Sequence, residues 1–126
     1  MSKKIISTSK APAAIGPYNQ GTVAGGFLFT SGQLPMHPET GEVPEGIEAQ
    51  TVLVLDNLKA IVEASGASMS DVVKCNVFIQ NLSDFATVNE IYARYFPENP
   101  PARATVEISG LAKNALVEID AVAVVG

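Results

Sequence analysis

The strongest constraint on this chain's fold lies in Leu116 to Val125, just before the C-terminal glycine. Side chains alternate across a strand, so Val117, Ile119, Ala121, Ala123 and Val125 form one wholly apolar face. Leu116, Glu118, Asp120, Val122 and Val124 turn to the other. The apolar face must be covered, and helices are the available cover. The opposite face mixes carboxylates with aliphatics, a pattern that marks an association surface more than a solvated one. The preceding strand, Ala102 to Ile108, divides the same way, with Ala104, Val106 and Ile108 against Arg103, Thr105 and Glu107. The short link Ser109 to Ala115 predicts an antiparallel hairpin between the two. If their apolar sides coincide, Arg103, Thr105, Glu107, Glu118 and Asp120 share one sheet face.

Two segments supply the covering helices. From Ile47 to Ser65 apolar side chains recur at Val54, Leu55, Leu58, Ile61 and Val62, and Gly66 follows as a stop. A second helix begins near Ser83 or Asp84, carries Phe85, Val88, Tyr92, Tyr95 and Phe96 at helical spacing, and ends at Pro97. Between them Val72 to Ile79 reads as a strand with Val73, Cys75, Val77 and Ile79 on one side. Upstream, Lys4 to Ser7 is β-prone, and Ala11 to Tyr18 is broken by prolines into a loop. Gln20 to Val23 and Phe27 to Thr30 flank Ala24-Gly25-Gly26 as a hairpin, and His37 to Gly41 forms a surface turn. The order β, β, β, α, β, α, β, β predicts a single α+β domain over residues 1–126, a mixed sheet with both helices on one face. The bare face predicts a homo-oligomer.

Composition narrows the function. The 126 residues carry a net charge of −5, which offers no general positive field for nucleic acid. One cysteine and one histidine (Cys75 and His37) make neither an intrachain disulfide nor a structural zinc site alone. No apolar run approaches the length of a spanning helix, and the N-terminus turns polar after Ile6 instead of developing a secretory signal. A soluble protein of the reducing cytoplasm is expected, with no membrane partner. Phosphate-binding glycine loops, HExxH and CxxC are all absent from the sequence.

The feature left over is Pro100-Pro101-Ala102-Arg103. Arginine presents a planar fork of donors that suits bidentate capture of a carboxylate, and Glu118 or Asp120 beside it would orient or deprotonate a water. The alternative reading pairs Arg103 with one of those acids in a structural interface ion pair. Tyr18 and Ser31 sit at loop and turn positions where small-molecule sites gather, though an isolated Tyr or Ser there is commonly structural. Asn89 reads as a solvated or helix-contact residue before a ligand contact, and Cys75, among aliphatics, as core.

Five blocks of the chain resemble the signature segments of the RidA (YjgF) family of enamine/imine deaminases. They are Ala11-Pro12-Ala13-Ala14-Ile15-Gly16-Pro17-Tyr18, Thr30-Ser31-Gly32-Gln33-Leu34-Pro35, Asp84-Phe85-Ala86-Thr87-Val88-Asn89, Pro101-Ala102-Arg103 and Val117-Glu118-Ile119-Asp120-Ala121. The resemblance implies a chorismate-mutase-like α+β fold, a homotrimer with sites between subunits, and no cofactor or metal. It further implies hydrolysis of 2-imino acids such as 2-iminobutanoate and 2-iminopropanoate to 2-keto acids and ammonia. Arg103 then matches the carboxylate clamp and Glu118 the acid that positions the water. Tyr18, Ser31, Gly32 and Asn89 match pocket residues. Two positions depart from the family pattern: Thr105 stands where deaminating members commonly carry Cys, and Ala112 where a Leu-Pro pair is common. A hydroxyl at Thr105 still donates and accepts a hydrogen bond toward substrate. A non-catalytic module that binds 2-keto acids in the same clefts is the alternative function, and a nuclease is disfavoured by the charge.

Overall fold

In the computed structural model, which describes residues 2–126, the strand with the wholly apolar face lies inside the sheet, with neighbours on both sides. In chain order the elements are β1 (Lys4–Ile6), β2 (Gly21–Ala24), β3 (Phe27–Thr30), α1 (Ile47–Ala64), β4 (Val72–Ile79), α2 (Phe85–Tyr95), β5 (Ala102–Glu107) and β6 (Val117–Val124). They form one six-stranded sheet in the order β1-β2-β3-β6-β4-β5, antiparallel except for the β4–β5 pair. Both helices cover one face, giving the mixed α+β domain that the element order predicts. Gly25 and Gly26 close the β2–β3 hairpin with φ of 59° and 83°, the left-handed values that a two-residue hairpin turn requires.

The core fills the space between that face and the helices. Leu55, Leu58, Ile61 and Val62 of α1 are fully buried, as are Leu28, Cys75, Val117 and Ile119 from the sheet. Each large aliphatic buried in this way contributes about 1.5–3 kcal/mol relative to exposure. Tyr95 joins the helices, its hydroxyl donating to Asp56 at 2.7 Å. Among the described residues no helix is long and apolar enough to cross a membrane.

Three local expectations are corrected. β5 and β6 are not a hairpin, because β4 lies between them. β4, α2 and β5 form a parallel crossover unit, and such a pair needs a helix-length connection, which α2 supplies. The pleat then places Arg103, Thr105 and Glu107 in register with Cys75, Val77 and Ile79, on the helix-covered face, while Glu118 pairs with Phe78 on the open face. The five polar residues therefore do not share one face. Finally, a bulge between Val72 and Lys74 inserts Val73 as an extra residue, so Val72 enters the core at 4% exposure and Val73 stands out at 43%. At the start of α2 neither Ser83 nor Asp84 makes a side-chain cap, and a short 3₁₀ turn, Leu82–Asp84, leads in. The Glu107 carboxylate accepts from the Leu82 amide at 2.8 Å.

Three buried amide side chains fasten the loops at one end of the sheet. Gln20 Nε2 donates to the carbonyls of Thr8, Ala11 and Pro12 at 3.0, 3.2 and 2.8 Å, while its oxygen accepts from Thr8 N at 2.6 Å. Asn57 of α1 donates to the carbonyls of Leu34 and Met36 at 3.2 and 2.9 Å. Gln50 donates to Pro44 O at 2.9 Å and accepts from Leu116 N at 2.8 Å. Asn57→Ala leaves two carbonyls without these donors, so unfolding in urea should show a stability loss of about 1–3 kcal/mol. A midpoint equal to wild type would mean that water replaces the amide without penalty.

Candidate active site

Arg103 enters the structure from β5, an edge strand, and its side chain runs under α2. Its guanidinium carbon lies 4.8 Å from the centre of the Tyr92 ring and 5.6 Å from that of Phe85. Cations over aromatic faces are attracted by the ring quadrupole, and the contact strengthens as water is excluded. Tyr92 is 5% exposed and packs in turn on Phe96, with ring centres 4.7 Å apart, so the platform beneath the arginine is held by the core. Among the described residues the single ion pair is Arg94 with Glu90, at the surface. Among the described residues Arg103 has no acid partner, and the structural ion pair is not made.

Two buried hydroxyls accompany it. Thr105 Oγ1 and Tyr92 Oη are both out of contact with water and make no hydrogen bond among the described residues. The Tyr92 hydroxyl faces the Cys75 thiol without reaching hydrogen-bond geometry. Burial pushes Cys75 up to about 11, which makes it a core thiol and a poor nucleophile at neutral pH. Burial likewise raises Tyr92 well above the ordinary phenol value. Asn89 lies on α2 four residues after Phe85 and three before Tyr92, on the helical stripe that carries both rings.

Glu118, Gly32, Ser31 and Tyr18 gather elsewhere. Gly32 has no left-handed φ and is glycine for want of space: a Cβ there would come within 2.7 Å of the Glu118 carboxyl carbon. This close approach follows from an irregularity after β3. Phe29 pairs with Val122, but Gln33 pairs with Ile119, so four steps on one strand match three on the other. The extra residue brings the Ser31–Gly32 backbone over the acid. Ser31 fastens the chain just after the 12–18 loop, its amide donating to Gln20 O at 2.9 Å and its hydroxyl to Asn19 O. With its proton engaged, Ser31 can accept from a ligand but not donate. Tyr18 stands 49% exposed beyond, and with Gly32, Leu34, Met36 and Ala112 it lines a cavity of about 90 Å³.

The Glu118 carboxylate receives no hydrogen bond from the described residues. Burial, and secondarily the nearby Asp120 carboxylate, raises its pKa above the ordinary glutamate value. Asp120 is differently placed, since Asn76 Nδ2 donates to its Oδ1 at 2.9 Å. Glu118 is therefore the freer of the two acids. Among the described residues no three His, Cys, Asp or Glu side chains gather to hold a metal ion.

The candidate residues thus fall into two groups. Arg103, Thr105 and the Asn89 stripe lie on the helix side, whereas Glu118, Gly32, Ser31 and Tyr18 lie toward the open face and its adjoining loops. Sequence reasoning missed the Tyr92–Phe85 platform, because aromatics at helical spacing read as core until the β4–β5 register shows what lies under them. It also missed the Met36 wall of the cavity, for which the sequence carries no signal.

Comparison with known proteins bears on this arrangement. The Endoribonuclease L-PSP family matches residues 8–125. A RutC family protein of Pyrococcus abyssi is 51% identical over 124 residues, covering 98% of each chain. The 2-iminobutanoate/2-iminopropanoate deaminase of Escherichia coli K12 is 52% identical over 124 residues, covering 96% of this chain and 97% of the other. The crystal structure of E. coli TdcF with bound serine superposes with a TM-score of 0.94 at 48% identity, covering 98% of each chain. The chain carrying these two groups of residues belongs to the Endoribonuclease L-PSP family, that of the RidA/YjgF proteins.

Proposed function

We propose that the protein hydrolyses reactive 2-imino acids, such as 2-iminobutanoate and 2-iminopropanoate, to 2-keto acids and ammonia. The observation that carries this reading is the presence, among the described residues, of an arginine fork without an acid partner and a half-buried carboxylate without a donor. The first suits a substrate carboxylate, and the second suits a water. Supporting it, the chain is 52% identical to a protein named for this reaction.

The chemistry asks little beyond placement. The C2 carbon of an iminium is already electrophilic, so catalysis comes from orientation and from charges fixed in advance. Arg103, braced on Tyr92 and Phe85, holds the carboxylate by two parallel N–H bonds. Glu118 accepts a proton from water as its oxygen bonds to C2 and the C=N π electrons move to nitrogen. It then returns a proton to that nitrogen, the C–N bond breaks, and ammonia leaves as the hydroxyl proton passes to the Glu118 carboxylate and C2 becomes a ketone. Asn89 faces the substrate from the arginine side, with the Thr105 hydroxyl buried beside Arg103, and Tyr18, Ser31 and Gly32 face it from the acid side.

Because the sheet pleat sends Arg103 and Glu118 to opposite faces, one copy does not complete the site. We assign completion to a second copy. The open face carries Ile5, Phe27, Phe29, Val106 and Val124 at 42–47% exposure, an apolar surface suited to burial against identical chains. A homotrimer with three shared sites satisfies both needs. A cytoplasmic setting fits the single unbridged thiol.

Three outcomes are expected. Arg103→Lys keeps the charge but loses the fork, so 2-keto acid affinity measured by calorimetry should fall by about tenfold or more. Glu118→Gln should bind the keto acid as wild type does yet lose at least about a hundredfold in kcat. Wild-type activity should rise with pH through a value above the ordinary glutamate pKa, as the raised carboxyl ionises. A Glu118→Gln enzyme with wild-type kcat would refute the assignment, and keto-acid binding without any wild-type turnover would favour a binding module. Finally, Arg103→Ala and Glu118→Gln chains, each inactive, should regain about a quarter of wild-type activity when unfolded and refolded together, by random assortment around shared sites. A mixture that stays inactive would place the whole site in one chain.

A further inference from the structure

The cavity behind Gly32 is a part of the site that this reaction leaves unused. It measures about 90 Å³ and lies between the 12–18 loop, the segment after β3 and the β5–β6 connection. Its walls are chiefly carbon, from Pro12, Ile15, Leu34, Met36, Ala112 and the Tyr18 ring. Two amides and Lys113 complete the lining: Gln20 uses its nitrogen on three carbonyls and its oxygen on a backbone amide, and Gln33 Nε2 donates to Ser31 O at 3.3 Å. An apolar guest is therefore the one that fits. Gly32 shares a wall with the cavity and also abuts the Glu118 carboxylate, so the cavity begins beside the group that handles water.

The Ala112 wall is fixed. Lys113 and Asn114 hold left-handed φ of 59° and 55°, a tight turn that the Ala115 amide closes on Ala112 O at 3.2 Å. Gln50 then secures Leu116 from α1 at 2.8 Å. A single methyl projects from this anchored corner, and it is exposed, so a larger side chain meets the cavity and not the core.

We propose that the cavity receives the substrate's aliphatic side chain and that Ala112 sets the chain length accepted. The inference rests on the imine-hydrolysis reading and adds a substrate class to it. At about 30 Å³ per water-sized group the cavity admits about three carbons beyond those in the open cleft. The substrates would then include 2-imino acids with three- or four-carbon side chains, straight or branched, as well as the short ones. Ala112→Leu adds three carbons, about what the cavity holds.

The experiment compares 2-iminopropanoate with 2-imino-4-methylpentanoate, each generated in situ, and measures calorimetric affinity for the two corresponding keto acids. In Ala112→Leu the ratio of kcat/KM for the long over the short substrate should fall by about tenfold or more, and the keto-acid affinities should follow the same ratio. Met36→Ala, from another wall, should move the ratio the opposite way. Equal losses on both substrates, or an unchanged ratio in both variants, would overturn the proposal while leaving imine hydrolysis intact. If wild type hydrolyses neither imine but its keto-acid affinities shift with Ala112→Leu as described, the subsite stands and the hydrolysis reading falls. Failure of both keto acids to bind wild type would overturn both.

Discussion

The insertion of β6 between β3 and β4 governs the remainder of the molecule. That strand contributes Val117, Ile119, Ala121 and Ala123 to the core on one side and Glu118 and Asp120 to the open face on the other. Its pairing with β3 runs into the irregularity that brings Gly32 over Glu118, and its pairing with β4 sets the register on which β5 is then laid. Because the side-chain period of a strand is two, these pairings leave no freedom in which face each polar residue takes. Arg103 is consigned to the helix side and Glu118 to the open side.

Loops carry Tyr18, Ser31, Gly32 and Ala112, and loops are ordinarily the mobile part of a fold. Here they are held by Gln20, Asn57 and Gln50, buried amides whose donors and acceptors are directed at backbone groups of the loops themselves. Each such bond is worth about 1 kcal/mol net, but leaving its partner unmet inside the protein costs more. Position is thereby gained for groups that have no strand or helix to position them. Asn57 shows the link most plainly, since a residue on the buried stripe of α1 fixes the Leu34–Met36 segment that walls the cavity.

The charged groups are arranged in the opposite manner, held in place but not neutralised. Arg103 rests on aromatic faces in place of an acid, and Glu118 is half-buried without a donor. An unpaired charge in a partly desolvated position is unfavourable for stability, and positions of this kind collect where charge is to be used on a ligand. The exposed apolar strip on the open face is unfavourable in the same sense for a lone chain. Both features make physical sense if identical chains meet on that face and a carboxylate-bearing substrate lies between the two groups of residues.

Alternation in β6, the helical stripes of α1 and α2 and the paired glycines of the hairpin are local patterns. The sequence by itself therefore determined the elements, the single mixed α+β layer, the core role of Cys75 and the open face of Glu118 and Asp120. Arg103, Glu118, Gly32 and Tyr18 were also legible, through their chemistry and the blocks in which they stand. Only the tertiary structure decided that β4 separates β5 from β6, and with that the face on which Arg103 lies. It alone placed Tyr92 and Phe85 beneath the guanidinium and Met36 and Ala112 around the cavity. Strand order and register are set by contacts between residues far apart in the chain, through α2 packing β5 parallel to β4, and no local pattern in the amino-acid sequence encodes which neighbour a strand will find.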